Sequence, residues 1–214
     1  VVGEPAAREH SYTNYVQAVP QSLFHDDSTL PEHYVGKIPS YPRVTNFYKI
    51  GRVLQVGVNH IEAGKMNTML NEALITLGAS KQVNIIVVLT DIQDKNYIKA
   101  IENAWLGGEK NDVVVVVGLD GDTITWSNTF TWALNDGNGL FNVKMRDGVE
   151  ELGTLKAETF VPFVTSTIAA SYDRPEMADY VHLEDEIEVP TWAFITALVM
   201  AFGGSALLTF VFHH

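Results

Sequence analysis

The sequence predicts an α/β protein: a three-layer domain on a mainly parallel sheet with an edge hairpin, an irregular N-terminal arm, and one C-terminal transmembrane helix. Three observations predict it. Residues 83–89 and 113–117 are near-continuous aliphatic runs, the second five valines in a row, as in strands buried on both faces. Helical spacing fills the gaps between these runs. Residues 192–212 form a stretch of 21 residues without one charged side chain.

The elements follow in order. Residues 1–46 are read as an arm, because Pro5, Pro20, Pro31, Pro39 and Pro42 punctuate it and its tyrosines follow no period of 2 or 3.6. A long segment with no structure of its own is unusual inside a compact domain, so the arm is expected to lie on another surface, its own domain or a partner. The domain is assigned to residues 47–172. Residues 53–58 read as a strand. Met66, Met69, Leu70, Ala73, Leu74 and Leu77 then keep helical spacing, with Gly78 as the expected stop. After strand 83–89, Asp91 or Asp94 is expected to cap a helix carrying Tyr97, Ile98, Ile101 and Trp105, ended by Gly107 and Gly108. Strand 113–117 turns at Gly121 into 123–132, whose alternation predicts a half-exposed edge strand. Residues 136–139, Asp-Gly-Asn-Gly, read as a turn. Helices are expected over 143–152 and 158–170. This order implies right-handed crossovers.

Residues 173–190 form an acidic juxtamembrane linker, and 191–212 the membrane helix. At about 1.5 Å per residue, 21 residues cover roughly 30 Å, the thickness of a bilayer core. Residues 173–188 hold seven acidic side chains and one basic one, and no Lys or Arg follows Arg174. A flank poor in Lys and Arg is favoured on the non-cytoplasmic side. The domain is therefore expected in a periplasm, lumen or intermembrane space. Ala193, Ala197, Ala201 and Ser205 recur every four residues, the spacing that lets two membrane helices approach closely. The expected partners are the bilayer and other transmembrane subunits.

Composition excludes several classes. With 14 Lys plus Arg against 26 Asp plus Glu, the formal charge is −12, which argues against a nucleic-acid partner. Cysteine is absent, so disulfides, thiol catalysis and Cys-ligated metals are ruled out. Residues 56–65 resemble a phosphate loop in placement but break its pattern: Asn59 stands where the first Gly belongs and Met66 where the metal-binding hydroxyl belongs. His10, His25, His33, His60 and His182 are scattered singly, His213 and His214 stand as a pair, and no nucleophile motif occurs.

The acidic loops are the candidate site. Asp91 and Asp94 follow one central strand, Asp120 and Asp122 follow the next, and Asp112 precedes it. Ligands of open parallel sheets collect outside the carboxyl ends of the strands. Carboxylates from neighbouring loops can make an oxygen-rich site for Ca²⁺ or Mg²⁺. The competing reading is ordinary cap and turn chemistry.

The segments Val83-Asn84-Ile85-Ile86-Val87-Val88-Leu89, Ile101-Glu102-Asn103-Ala104-Trp105-Leu106-Gly107-Gly108 and Lys110-Asn111-Asp112 with its valine run resemble the TPM domain family over roughly residues 53–172. The resemblance implies an extracytoplasmic α/β domain tethered by one membrane helix. Members include thylakoid-lumen proteins linked to photosystem II repair, receptor-accessory proteins, and weak acid phosphatases that bind Ca²⁺. It places a metal site at loop positions 91, 94, 112, 120 and 122. The leading expectation is a non-catalytic accessory subunit of a membrane complex, respiratory or photosynthetic. A metal-dependent weak acid phosphatase and a bacterial or phage envelope factor are the alternatives.

Overall fold

The computed structural model describes residues 32–42, 51–132, 136–174, 176, 181, 184 and 191–213; the side chains of residues 32, 136–138 and 204–213 lie outside the description. A four-stranded sheet has the order β1 (Val53–Val56), β2 (Asn84–Thr90), β3 (Asp112–Asp120), β4 (Thr123–Thr131). The first three strands are parallel and β4 returns antiparallel at the edge. The helices are α1 (Ala63–Lys81), α2 (Tyr97–Ala104), α3 (Asp136–Glu151), α4 (Ala157–Ser171) and α5 (Thr191–His213).

Both faces of the sheet are covered, which is why its central strands are aliphatic throughout. Ile85, Val87, Leu89, Val113, Val115 and Val117 pack under α1, α3 and α4. Ile86, Val88, Val114 and Val116 pack under α2 and Tyr34. This is the expected three-layer α/β arrangement, with one addition. The arm is expected on another surface, and its described part, residues 32–42, lies on this domain and completes the layer beside α2.

The chain steps across β1, β2 and β3 in one direction, yet α1 lies on one face and α2 on the other. The two crossovers therefore have opposite hands, and the expectation of right-handed crossovers throughout is corrected. The usual preference comes from a stiff helix packing back on a twisted strand. The β2–β3 connection is the weakly constrained one: α2 has only 8 residues, followed by positive φ at Leu106, Gly107 and Gly108.

Other expectations shift for local reasons. The first helix does not stop at Gly78; it runs on to Lys81, and Gln82 takes the left-handed cap (φ 52°), donating its N–H to the Gly78 carbonyl. Residues 136–139 are the first turn of α3 rather than a separate turn. Edge strand β4 is largely buried, not half-exposed, because α3 packs across it. Its alternation also breaks: Gly118 pairs with Trp126 but Leu119 with Ile124, leaving Thr125 as a bulge. Ile124 thereby faces the α1 side while Trp126 and Phe130 face the α2 side.

Among the described residues no helix is long and apolar enough to cross a membrane. Helix α5 is 23 residues long, but its side chains are described over 191–203 only. Ser205 of the small-residue face lies outside the described side chains, as do most of the acidic linker, residues 1–31 and residues 43–50.

A candidate cleft at the carboxyl ends of the strands

Adjacent parallel strands whose connections leave to opposite faces open a crevice at their carboxyl ends. Here β1 leads to α1 and β2 to α2 on opposite faces, so the crevice falls between the loops after Val56 and Thr90. An open cleft of about 860 Å³ lies there. Its wall comes from the β1–α1 loop (Gly57, Asn59, His60), the β2–α2 loop (Asp91, Gln93) and the β3–β4 turn (Asp120, Asp122).

The loops are tied to one another. Gly57 has φ 73°, and a Cβ there would collide with the Asp91 carboxylate, which rests directly on the glycine backbone. Gln93 Nε2 donates to the carbonyls of Asp91 (3.0 Å) and Leu119 (2.9 Å), joining the second loop to the third. The His60 side chain is only 6% exposed and its Nε2 lies 3.1 Å from Asp122 Oδ1. That contact is an ion-pair approach without hydrogen-bond alignment, since Nε2 has no aligned partner. His60 Nδ1 accepts the Glu62 N–H at 3.3 Å, which leaves the proton of a neutral ring on Nε2, toward Asp122. Glu62 in turn receives the Ala157 N–H at 2.8 Å, capping α4 from the start of α1.

Three of the five sequence-predicted carboxylates, Asp91, Asp120 and Asp122, line this cleft. The other two do not, and the expected five-membered site is corrected accordingly. Asp94 accepts the Tyr34 hydroxyl (2.6 Å) and the Asn96 N–H (3.0 Å), and its carbonyl accepts the Tyr97 N–H. Hydrogen bonding from Tyr34, then from Asn96, holds its pKa below the usual carboxylate value. It braces the turn that enters α2; the helix N-cap is Asn96, without a side-chain cap hydrogen bond, so the expected capping by Asp91 or Asp94 is corrected.

Asp112 sits at the opposite, amino-terminal end of the parallel strands, opposite Asn84 in register and 1% exposed. Burial raises its pKa, against hydrogen bonds from Tyr41, Asn84 and Glu109 that lower it. Arg52, 8% exposed, anchors the same corner. Its Nε donates to Asn71 Oδ1 at 2.7 Å and its Nη1 to Asn84 Oδ1, while Asn84 Nδ2 donates to Asp112 Oδ1 at 2.7 Å. This chain is a fastening of the fold, not an open site.

Sequence reasoning missed His60 as a cleft residue. A usable signal existed, since it follows β1 at the carboxyl edge as Asp91 follows β2. It also missed the Arg52–Asn84–Asp112 chain, which no spacing announces. As placed, the cleft groups line one wall without converging: among the described residues no three His, Asp or Glu side chains are grouped to hold a metal ion.

No family model, no curated protein and no solved structure matches this chain.

Proposed function

We propose that this chain is a non-catalytic accessory subunit of a membrane protein complex, tethered by α5 and presenting a TPM-like α/β domain on the extracytoplasmic side. The observation that carries the reading is the surface of α5. Its 23 residues include no Asp, Glu, Lys or Arg. Trp192, Phe194, Ile195, Val199, Met200 and Phe202 all stand more than half exposed, on every side of the helix. A helix apolar all round is stable only in a core or in lipid, and this one is not in the domain's core. Its polar Thr196 hydroxyl is satisfied within the helix by the Trp192 carbonyl at 2.7 Å. Counted over all 23 residues of its sequence, beyond the 191–203 whose side chains are described, the helix would cover roughly 35 Å at about 1.5 Å per residue, comparable to a bilayer core. The acidic flank at 173–188 supports the extracytoplasmic orientation. Carbonate extraction tests it: the full chain stays with the membrane pellet and the 1–190 fragment leaves it. A full-length chain recovered in the supernatant overturns the reading.

The cleft favours a second reading, a Ca²⁺- or Mg²⁺-dependent phosphatase using Asp91, Asp120 and Asp122. As the carboxylates do not converge, this reading needs the loops to move.

A further inference from the structure

The layer beside α2 is completed by a strap of extended chain, and its mode of attachment is that of a bound peptide. The strap starts with a turn at residues 34–37, closed by the Lys37 N–H on the Tyr34 carbonyl at 2.9 Å, with Gly36 at φ 76°. It then runs through Ile38-Pro39-Ser40-Tyr41-Pro42. Tyr34 reaches Asp94 just beyond the carboxyl end of β2, and Tyr41 reaches Asp112 at the amino end of β3, each at 2.6 Å. The strap therefore crosses the whole sheet against the direction of β1–β3. Between these ends the groove donates to strap carbonyls: Tyr97 Oη to Lys37 O, and Trp105 Nε1 to Pro39 O at 2.9 Å. Rings close the contact, Tyr34 against Tyr97 at 5.4 Å and Tyr41 edge-on to Trp105 at 5.4 Å.

Aromatic side chains that present N–H and O–H donors to the carbonyls of a proline-containing segment are the means by which Pro-rich peptides are recognised. Prolines 39 and 42 lack N–H groups and restrict the chain before binding, which lowers the ordering cost. The recognising groups all belong to the domain, and the recognised groups all belong to residues 34–42.

We propose that the α2 face is a recognition groove for an extended proline–tyrosine segment, filled in cis by residues 34–42 and able to accept the same segment from a second copy of the chain. Tyr97 and Trp105 read the carbonyls, and Asp94 and Asp112 read the two tyrosine hydroxyls, spaced seven residues apart.

The test uses the full chain in detergent or nanodiscs, with a protease site placed within residues 43–50 and cut after folding. The probe is a labelled synthetic peptide of residues 32–42. The nicked chain is expected to keep its near-ultraviolet dichroism and to exchange its own segment for the labelled peptide in a saturable way. Peptides carrying Tyr34→Phe or Tyr41→Phe, tested on unaltered protein, are expected to bind roughly tenfold more weakly each. Collapse of the fold on nicking makes the strap an inseparable part of the core and overturns the proposal. So does a folded, nicked chain that takes up no peptide, or one that binds a scrambled peptide equally well.

Discussion

The hydroxyl of Tyr41 donates to Asp112 Oδ2 at 2.6 Å, joining the arm to the base of the central strand across 71 residues of sequence. The polarity of that contact is imposed from the far side of the sheet. Arg52 can only donate. Its Nη1 fixes the Asn84 amide oxygen toward itself, so the Asn84 nitrogen must face Asp112. Tyr41 and the Glu109 N–H supply further donors, and only an acceptor on both oxygens satisfies this corner.

Asp112→Asn is therefore expected to destabilise the domain by about 1–3 kcal/mol, the cost of setting a buried donor against a donor. Urea unfolding measures it. Because burial raises the Asp112 pKa, the native state holds this proton more tightly than the unfolded chain. That contribution is present below the unfolded value of about 3.9 and is lost as pH rises through the native one. The variant should lack this component of the pH profile. A variant as stable as the parent would show that the corner is open to water.

The Tyr34–Asp94 contact has the opposite sign at low pH. The Asp94 pKa is depressed by Tyr34 and Asn96, so its contribution is present above about pH 4 and lost as pH falls through the native value. Tyr34 itself is pushed up, first by burial and then by Asp94, so its side of the bond is lost in strong alkali. Tyr34→Phe is expected to lower stability near neutrality and to differ least from the parent in acid. Unfolding curves at several pH values check this. An equal difference at every pH would assign the loss to packing rather than to the hydrogen bond.

The sheet was legible because burial on both faces writes itself into residues 83–89 and 113–117 as uninterrupted aliphatics. The helix faces were legible from spacing, as Met66, Leu70 and Leu77 are all buried. Helix ends were not, because packing outweighs capping preference: Gly78 lies inside α1 and Gln82 takes the left-handed cap. The strap was invisible because Tyr34 and Tyr41 follow no period and bind through single hydroxyls. At the cleft, Asp91, Asp120 and Asp122 were legible as strand-end carboxylates. The His60–Asp122 approach was not, since the two residues meet only through the strand order and the hand of the crossovers. Asp112 reads in sequence as preceding its strand and joins the set only through the family resemblance; the residue before a parallel strand stands at the opposite end of the sheet from the residues that follow it.

The cleft carboxylates are expected to behave as turn residues. Asp91 is seated on Gly57 and Asp122 faces His60, so neither is free to close on a cation without breaking those contacts. Millimolar Ca²⁺ or Mg²⁺ should leave the melting temperature of the domain unchanged, because a ligand stabilises only the state that binds it. A rise erased by Asp91→Asn with Asp120→Asn would establish a metal site here. Phosphate-ester hydrolysis lost with the same pair would turn the functional reading toward the enzyme.

The small-residue face of α5 gives the accessory-subunit reading its sharpest test. Ala193, Ala197 and Ala201 lie on one line of the helix at four-residue spacing, and Ala197 and Ala201 are exposed on the domain's own account. In lipid, apolar side chains gain little from meeting one another, so close backbone approach and dispersion decide association. Replacing Ala197 and Ala201 by Leu keeps the helix apolar and its length unchanged, so membrane insertion should persist. The two isobutyl groups would hold a partner helix away from the backbone. Co-purification of partner subunits is expected to fall severalfold while the circular dichroism of the domain and its carbonate-resistant pelleting stay as in the parent. Unchanged co-purification would mean that this face meets lipid and that any partner is held through the α/β domain.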